Sequence, residues 1–181
     1  MSFNEYHFIT NWRLEGTREE VTEILGDAED LPRWWPSVYI TVTQVEKGGE
    51  DRVGDVYDLY TKGWLPYTLR WRLRVTENNE PDGSTLVAEG DFAGRGIWSF
   101  VQDGDFVNVK YDWKISAQKP LLKLFSPVMK PLFAANHRWA MAKGEESLKL
   151  ELLRRRAATP EAAATVPPPP PPTFAGFIKR A

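Results

Sequence analysis

The stretch from Ser126 to Arg156, SPVMKPLFAANHRWAMAKGEESLKLELLRRR, is the longest segment of the chain that can form one helix, and it constrains every other element. On a helical wheel Met129, Leu132, Phe133, Asn136, His137, Trp139, Ala140, Met141, Gly144, Ser147, Leu148 and Leu152 fill a broad arc, with Arg138, Ala142, Glu145, Glu146 and Lys149 opposite. A one-sided helix must lay its arc on another apolar surface. The chain before it reads as strands with large aromatics on alternate positions, so the simplest assembly sets the helix across the face of a sheet. Within the arc Gly144 lacks a side chain, and Asn136, His137 and Ser147 are polar where a solid core would carry Leu. Such imperfect packing predicts a cavity, and a cavity predicts a ligand.

The strands follow from alternation. Phe3 to Leu14 places Tyr6, Phe8, Thr10, Trp12 and Leu14 on one parity. After Glu15-Gly16, Thr17 and Glu20 form a capping-box pattern that opens a short helix from Arg18 to about Leu25. Gly26-Asp27 stops it, a further turn or two leads to Leu31-Pro32, and Pro36 in RWWPSV turns the chain from helix to strand. Strands are then expected at Tyr39–Glu46, Val53–Thr61, Tyr67–Thr76, Thr85–Asp91, Gly96–Val101 and Phe106–Ile115. Connections this short require antiparallel neighbours. In LRWRLRV, Leu69, Trp71, Leu73 and Val75 share one face and Arg70, Arg72 and Arg74 the other, as in a sheet covered on one side.

Several chemistries are excluded or unsupported. The chain has no cysteine, so disulfides, thiolate zinc sites and a cysteine nucleophile are absent. A net charge of −2 lacks the basic field of a nucleic-acid binder, and Asp and Glu on neighbouring strands offset the arginine stripe. The two histidines, His7 and His137, have no HExxH-like spacing, so no metal site and no cofactor are expected. GDFAGRG is not a phosphate loop, because its glycines miss the GxGxxG spacing and a strand follows. There is no Gly-x-Ser-x-Gly elbow. No integral membrane segment is expected, because no apolar run approaches a bilayer span; the residues up to Leu14 lack a leader pattern, and a cytoplasmic location is expected. Eight Trp, nine Phe and six Tyr are ample to fill a core and line a pocket besides.

Pro127 and Pro131 each lack an amide donor and are expected to break or kink the start of the last helix. Beyond Arg156 the composition changes to Ala, Thr and a run of six prolines, Pro167 to Pro172. The reading is a ligand-binding domain over residues 1–156 and a disordered Pro-rich tail over 157–181. Its apolar and basic tip, 173–181, is either an end without a role or a contact for a partner or membrane surface.

The element order, together with EGTREEVTEIL, RWWPSV, GRGIWSFVQDGDFVNVKYDWKI and NHRWAMAKGEESL, resembles the SRPBCC group of the START-like, or Bet v 1-like, superfamily, which includes polyketide cyclase/dehydrase and lipid-transport-like proteins. The resemblance covers about Phe3 to Arg156. It implies an α+β helix-grip fold: a curved antiparallel sheet of about seven strands wrapped on a long C-terminal helix, with two short helices after the first strand. It also implies a pocket for a hydrophobic small molecule such as a lipid or polyketide. The candidate lining residues are Trp71, Trp98, Phe100, Tyr111, Trp113, Phe133, Asn136, His137, Ala140, Met141 and Gly144, with plain core as the alternative for each aromatic. Binding or carriage of the ligand is the first reading. An aromatase/cyclase-type enzyme with His137 as general base is the alternative, and a partner-binding module working through its tail is the third.

Overall fold

The computed structural model describes residues 5–118 and 120–174, without the side chains of 120–129. Seven strands form one antiparallel sheet: β1 (Glu5–Glu15), β2 (Tyr39–Glu46), β3 (Val56–Lys62), β4 (Thr68–Asn79), β5 (Gly83–Gly90), β6 (Phe92–Asp103) and β7 (Phe106–Ala117). Their order is β1-β7-β6-β5-β4-β3-β2. Thus β2 to β7 meander, while β1 closes on β7 in register from Glu5↔Ser116 to Glu15↔Phe106. Helices α1 (Arg18–Gly26) and α2 (Leu31–Trp34) carry the chain between the two sheet edges. Helix α3 (Pro120–Arg156) crosses the sheet, and α4 (Pro160–Thr165) follows it. This is the START/Bet v 1 helix-grip fold.

Local chemistry explains the elements. Thr17 Oγ1 accepts from the Glu20 amide at 3.2 Å while the Glu20 carboxylate accepts from the Thr17 amide at 2.8 Å, closing the capping box that starts α1. In β4 the arginine face is wet: Arg72 pairs with Asp58, Arg74 with Glu46, and Arg70 lies 4.2 Å over the Tyr60 ring. Strand β3 begins at Val56 rather than Val53, because Arg52 and Gly54 take positive φ in the turn before it. Strands β4 and β6 run longer than the alternation alone suggested.

Helix α3 runs through Pro127 and Pro131 without a break in its assignment, contrary to the expected interruption. Each proline removes a single amide from a 37-residue ladder, and the flanking bonds carry the helix. Its far end is fixed by a carboxylate that the sequence reading passed over. Glu151 is 1% exposed and accepts from Arg33 at 2.6 and 3.0 Å, Arg154 at 2.8 Å and Arg155 at 3.0 Å. Burial alone would raise its pKa, but the guanidinium donors outweigh it and hold the carboxyl at about 2. Arg33 thereby ties α2 to α3.

The segment after Arg156, expected as a disordered tail, contains α4 and then the proline run. Arg154 Nη2 donates to the Pro167 carbonyl at 3.0 Å. The run ends where Thr173 Oγ1 meets the carbonyls of Trp64 and Gly63 at 3.2 and 3.4 Å, and where the Lys62 ammonium donates to the Thr173 carbonyl. The rest of the tip, 175–181, lies outside the described residues.

Candidate functional site

Between sheet and α3 lies a cavity of about 170 Å³. Its floor comes from alternate residues of the central strands, Trp71 on β4, Phe92 on β6, and Tyr111, Trp113 and Ile115 on β7. Its roof is the α3 arc Phe133, Asn136, His137, Ala140 and Met141. Tyr6 and Phe8 of β1 form one wall; Val38, Tyr39, Thr61, Lys62 and Gly63 form the other. A second chamber of about 120 Å³ lies under α1 and α2; Leu31, Leu73, Leu86, Trp98 and Phe100 line it, and Arg52, Asn78 and Glu80 reach it from the β2–β3 and β4–β5 side. The two chambers share Trp35, Tyr39, Trp71, Tyr111 and Met141.

The aromatics form a continuous stack across the floor. Trp98 and Tyr111 lie 4.0 Å apart at 17°, Tyr111 and Trp113 5.5 Å apart at 22°, and Trp71 meets Phe92 at 4.8 Å. Tyr111 can lie along the sheet because Gly96 is beneath its hydroxyl: a Cβ there would stand 2.6 Å from Oη. Trp71 Nε1 donates to Thr61 Oγ1 at 3.0 Å, so its polar atom is satisfied inside the wall.

Polar side chains enter the lining from α3 and β3. Asn136 Oδ1 accepts from the Leu65 amide at 3.2 Å and fixes the β3–β4 loop to α3. Gly63 permits that approach, since a Cβ there would meet the Asn136 amide at 2.2 Å. His137 stacks on Phe8, and its Nε2 is buried without a hydrogen-bond partner. Burial, and then the charge of Arg138, lowers its pKa to about 4, so the imidazole is neutral at pH 7. Lys62 is 3% exposed, and burial lowers its pKa as well.

Of the residues singled out from sequence, Trp71, Tyr111, Trp113, Phe133, Asn136, His137, Ala140 and Met141 line the first chamber. Trp98 and Phe100 line only the second, and Tyr111, Trp71 and Met141 face both. Gly144 lines neither, contrary to the expectation. The Trp35 indole fills the place of its side chain, and a Cβ would stand 2.2 Å from that ring. Ser147 is fully buried and also away from both chambers. Sequence reasoning missed Trp35, Tyr39, Lys62 and the β1 pair Tyr6 and Phe8. For the last two a signal existed, since they share the parity of the buried Trp12. Among the described residues no cluster of His, Asp and Glu stands where it could hold a metal ion, and no helix is long and apolar enough to cross a membrane.

A curved antiparallel sheet closed by a long C-terminal helix over an aromatic cavity defines a START-like protein. The chain belongs to the family described as polyketide cyclase / dehydrase and lipid transport, which matches residues 13–152. Solved structures of the same fold include TTHA0849 from Thermus thermophilus, 17% identical with a TM-score of 0.67 over 83% of this chain and 99% of that one. A START superfamily protein from Mycobacterium smegmatis is 16% identical, with a TM-score of 0.66 over 81% and 96%. The Zhui aromatase/cyclase from a Streptomyces species is 14% identical, with a TM-score of 0.67 over 85% and 97%. At these identities the likeness is one of fold. No curated protein matches the sequence. Family and fold together support a role in binding a hydrophobic ligand or in polyketide cyclase-like chemistry.

Proposed function

We propose that the protein binds and carries an apolar small molecule in the cavity between sheet and α3. One observation carries this reading: the aromatic faces of Phe8, Trp71, Phe92, Trp113 and Phe133 enclose a space that only a few polar side chains enter, Asn136, His137 and Lys62 among them. Removing apolar surface from water contributes about 25 cal/mol per Å², and the few polar groups orient the ligand.

A second reading, an aromatase/cyclase-type enzyme, is favoured by His137. A neutral imidazole with an unpartnered nitrogen is able to accept a proton from a bound ligand. However, among the described residues no carboxylate pairs with His137 to fix its tautomer, which weights the carrier reading.

Native mass spectrometry of the protein from its own host, with denaturing extraction, tests the proposal. The expected result is a stoichiometric apolar adduct that His137→Ala weakens only modestly. A protein that emerges empty, and whose tryptophan fluorescence ignores an added apolar probe such as diphenylmethane, overturns it. Turnover of a released polyketide-type molecule that falls about 10²-fold in His137→Ala establishes the second reading instead.

A further inference from the structure

The boundary between the two chambers holds an unusual concentration of unspent polarity. Of the five residues they share, Trp71 has its N–H satisfied by Thr61, Met141 is apolar, and the Trp35 Nε1 donor is buried without a partner. Tyr39 and Tyr111 are different. Each faces both chambers, and neither hydroxyl has a hydrogen-bond partner among the described residues. Burial raises the pKa of both, and the neighbouring Tyr39 raises that of Tyr111 further, so both remain neutral donors at any working pH. A donor that faces an apolar cavity without a partner favours an acceptor there, which makes the pair a place where an acceptor is welcome.

Size adds a second constraint. The chambers measure about 170 and 120 Å³. A dry cavity of about 150 Å³ admits one benzene-sized ring. Each chamber thus suits one ring or a short branch, with the two phenols at the waist between them. Met141, unbranched and adaptable, is the one aliphatic side chain at that waist and is able to shift to join the chambers.

We propose that the ligand spans both chambers and carries a hydrogen-bond acceptor, a ketone-type carbonyl oxygen, at its middle, where the Tyr39 and Tyr111 hydroxyls donate to it. This rests on the cavity being a ligand site, as proposed above, and specifies the ligand's class: two apolar lobes joined through a carbonyl.

Benzophenone and diphenylmethane test this directly. They share two rings and a one-carbon bridge, and only the first has the oxygen. Calorimetric titration of the full chain is expected to show benzophenone bound about tenfold more tightly. Tyr39→Phe and Tyr111→Phe should each erode that preference several-fold and together remove it, while diphenylmethane affinity stays unchanged and certifies an intact cavity. Equal affinity of the two compounds for the wild-type chain overturns the waist and leaves the cavity reading standing. So does a loss in the Phe variants that is the same for both compounds. Failure of the wild-type chain to bind either compound overturns the cavity reading and this proposal with it.

Discussion

The imidazole of His137 lies on the phenyl ring of Phe8, centroids 4.2 Å apart and planes 15° from parallel. A residue on α3 is thus clamped to the first strand, which pairs on its other side with the last. Burial between helix and sheet, and then the charge of Arg138, keeps His137 in its neutral form.

That neutrality has a pH signature. The folded pKa of about 4 lies below the ordinary 6.5, so the unfolded chain takes up the proton first as pH falls. The stability tied to the neutral imidazole is complete above about pH 6.5 and is lost between there and pH 4, amounting to about 3 kcal/mol. Urea denaturation at pH 7.5, 5.5 and 4.0 should show His137→Gln losing less stability over this interval than wild type. Parallel profiles would place His137 in water.

Glu151 works in the same sense at lower pH. Its folded pKa of about 2 lies below the ordinary 4.5, so its stabilisation is present above pH 4.5 and fades as pH falls through 2. Glu151→Gln leaves Arg33, Arg154 and Arg155 without their shared anion. A loss of roughly 3–5 kcal/mol is expected at pH 7, measured by thermal or chemical unfolding. A loss under about 1 kcal/mol would mean that the cluster is solvated like a surface pair.

Gly144→Ala tests the contact with Trp35. One methyl group, 2.2 Å from the indole, forces that ring or the helix to move. The expected cost is about 1–3 kcal/mol, with a change in tryptophan emission. A variant as stable as wild type would show that α3 has slack at this point.

The architecture was legible because it rests on short-range pattern. Leu69, Trp71, Leu73 and Val75 can share a face only in a strand, and Thr17 with Glu20 announces a helix start. The roof of the cavity was legible too, because Phe133, Asn136, His137, Ala140 and Met141 recur at helical spacing. What opposes each roof position was not. The wheel shows that Gly144 faces inward, and it is silent on the distant Trp35 that arrives there. Glu151 reads as one more charge near a basic helix end until Arg33 is brought across 118 residues of sequence to meet it. Composition identified the proline run, but the meeting of Thr173 with Trp64 depends on where the strut points.

The pairing of β1 with β7 has a consequence for how the chain is made. Trp12 is opposite Val109, about a hundred residues later in synthesis, while every other strand pair joins neighbours in sequence. At about 5–20 residues per second, β1 leaves the ribosome roughly 5–20 s before its partner exists. During that interval its Tyr6, Phe8, Trp12 and Leu14 face has neither β7 nor α3 to cover it. The meander from β2 to β7 is free to assemble on its own first, so the closing of β1 and then of α3 sets the pace of the whole fold.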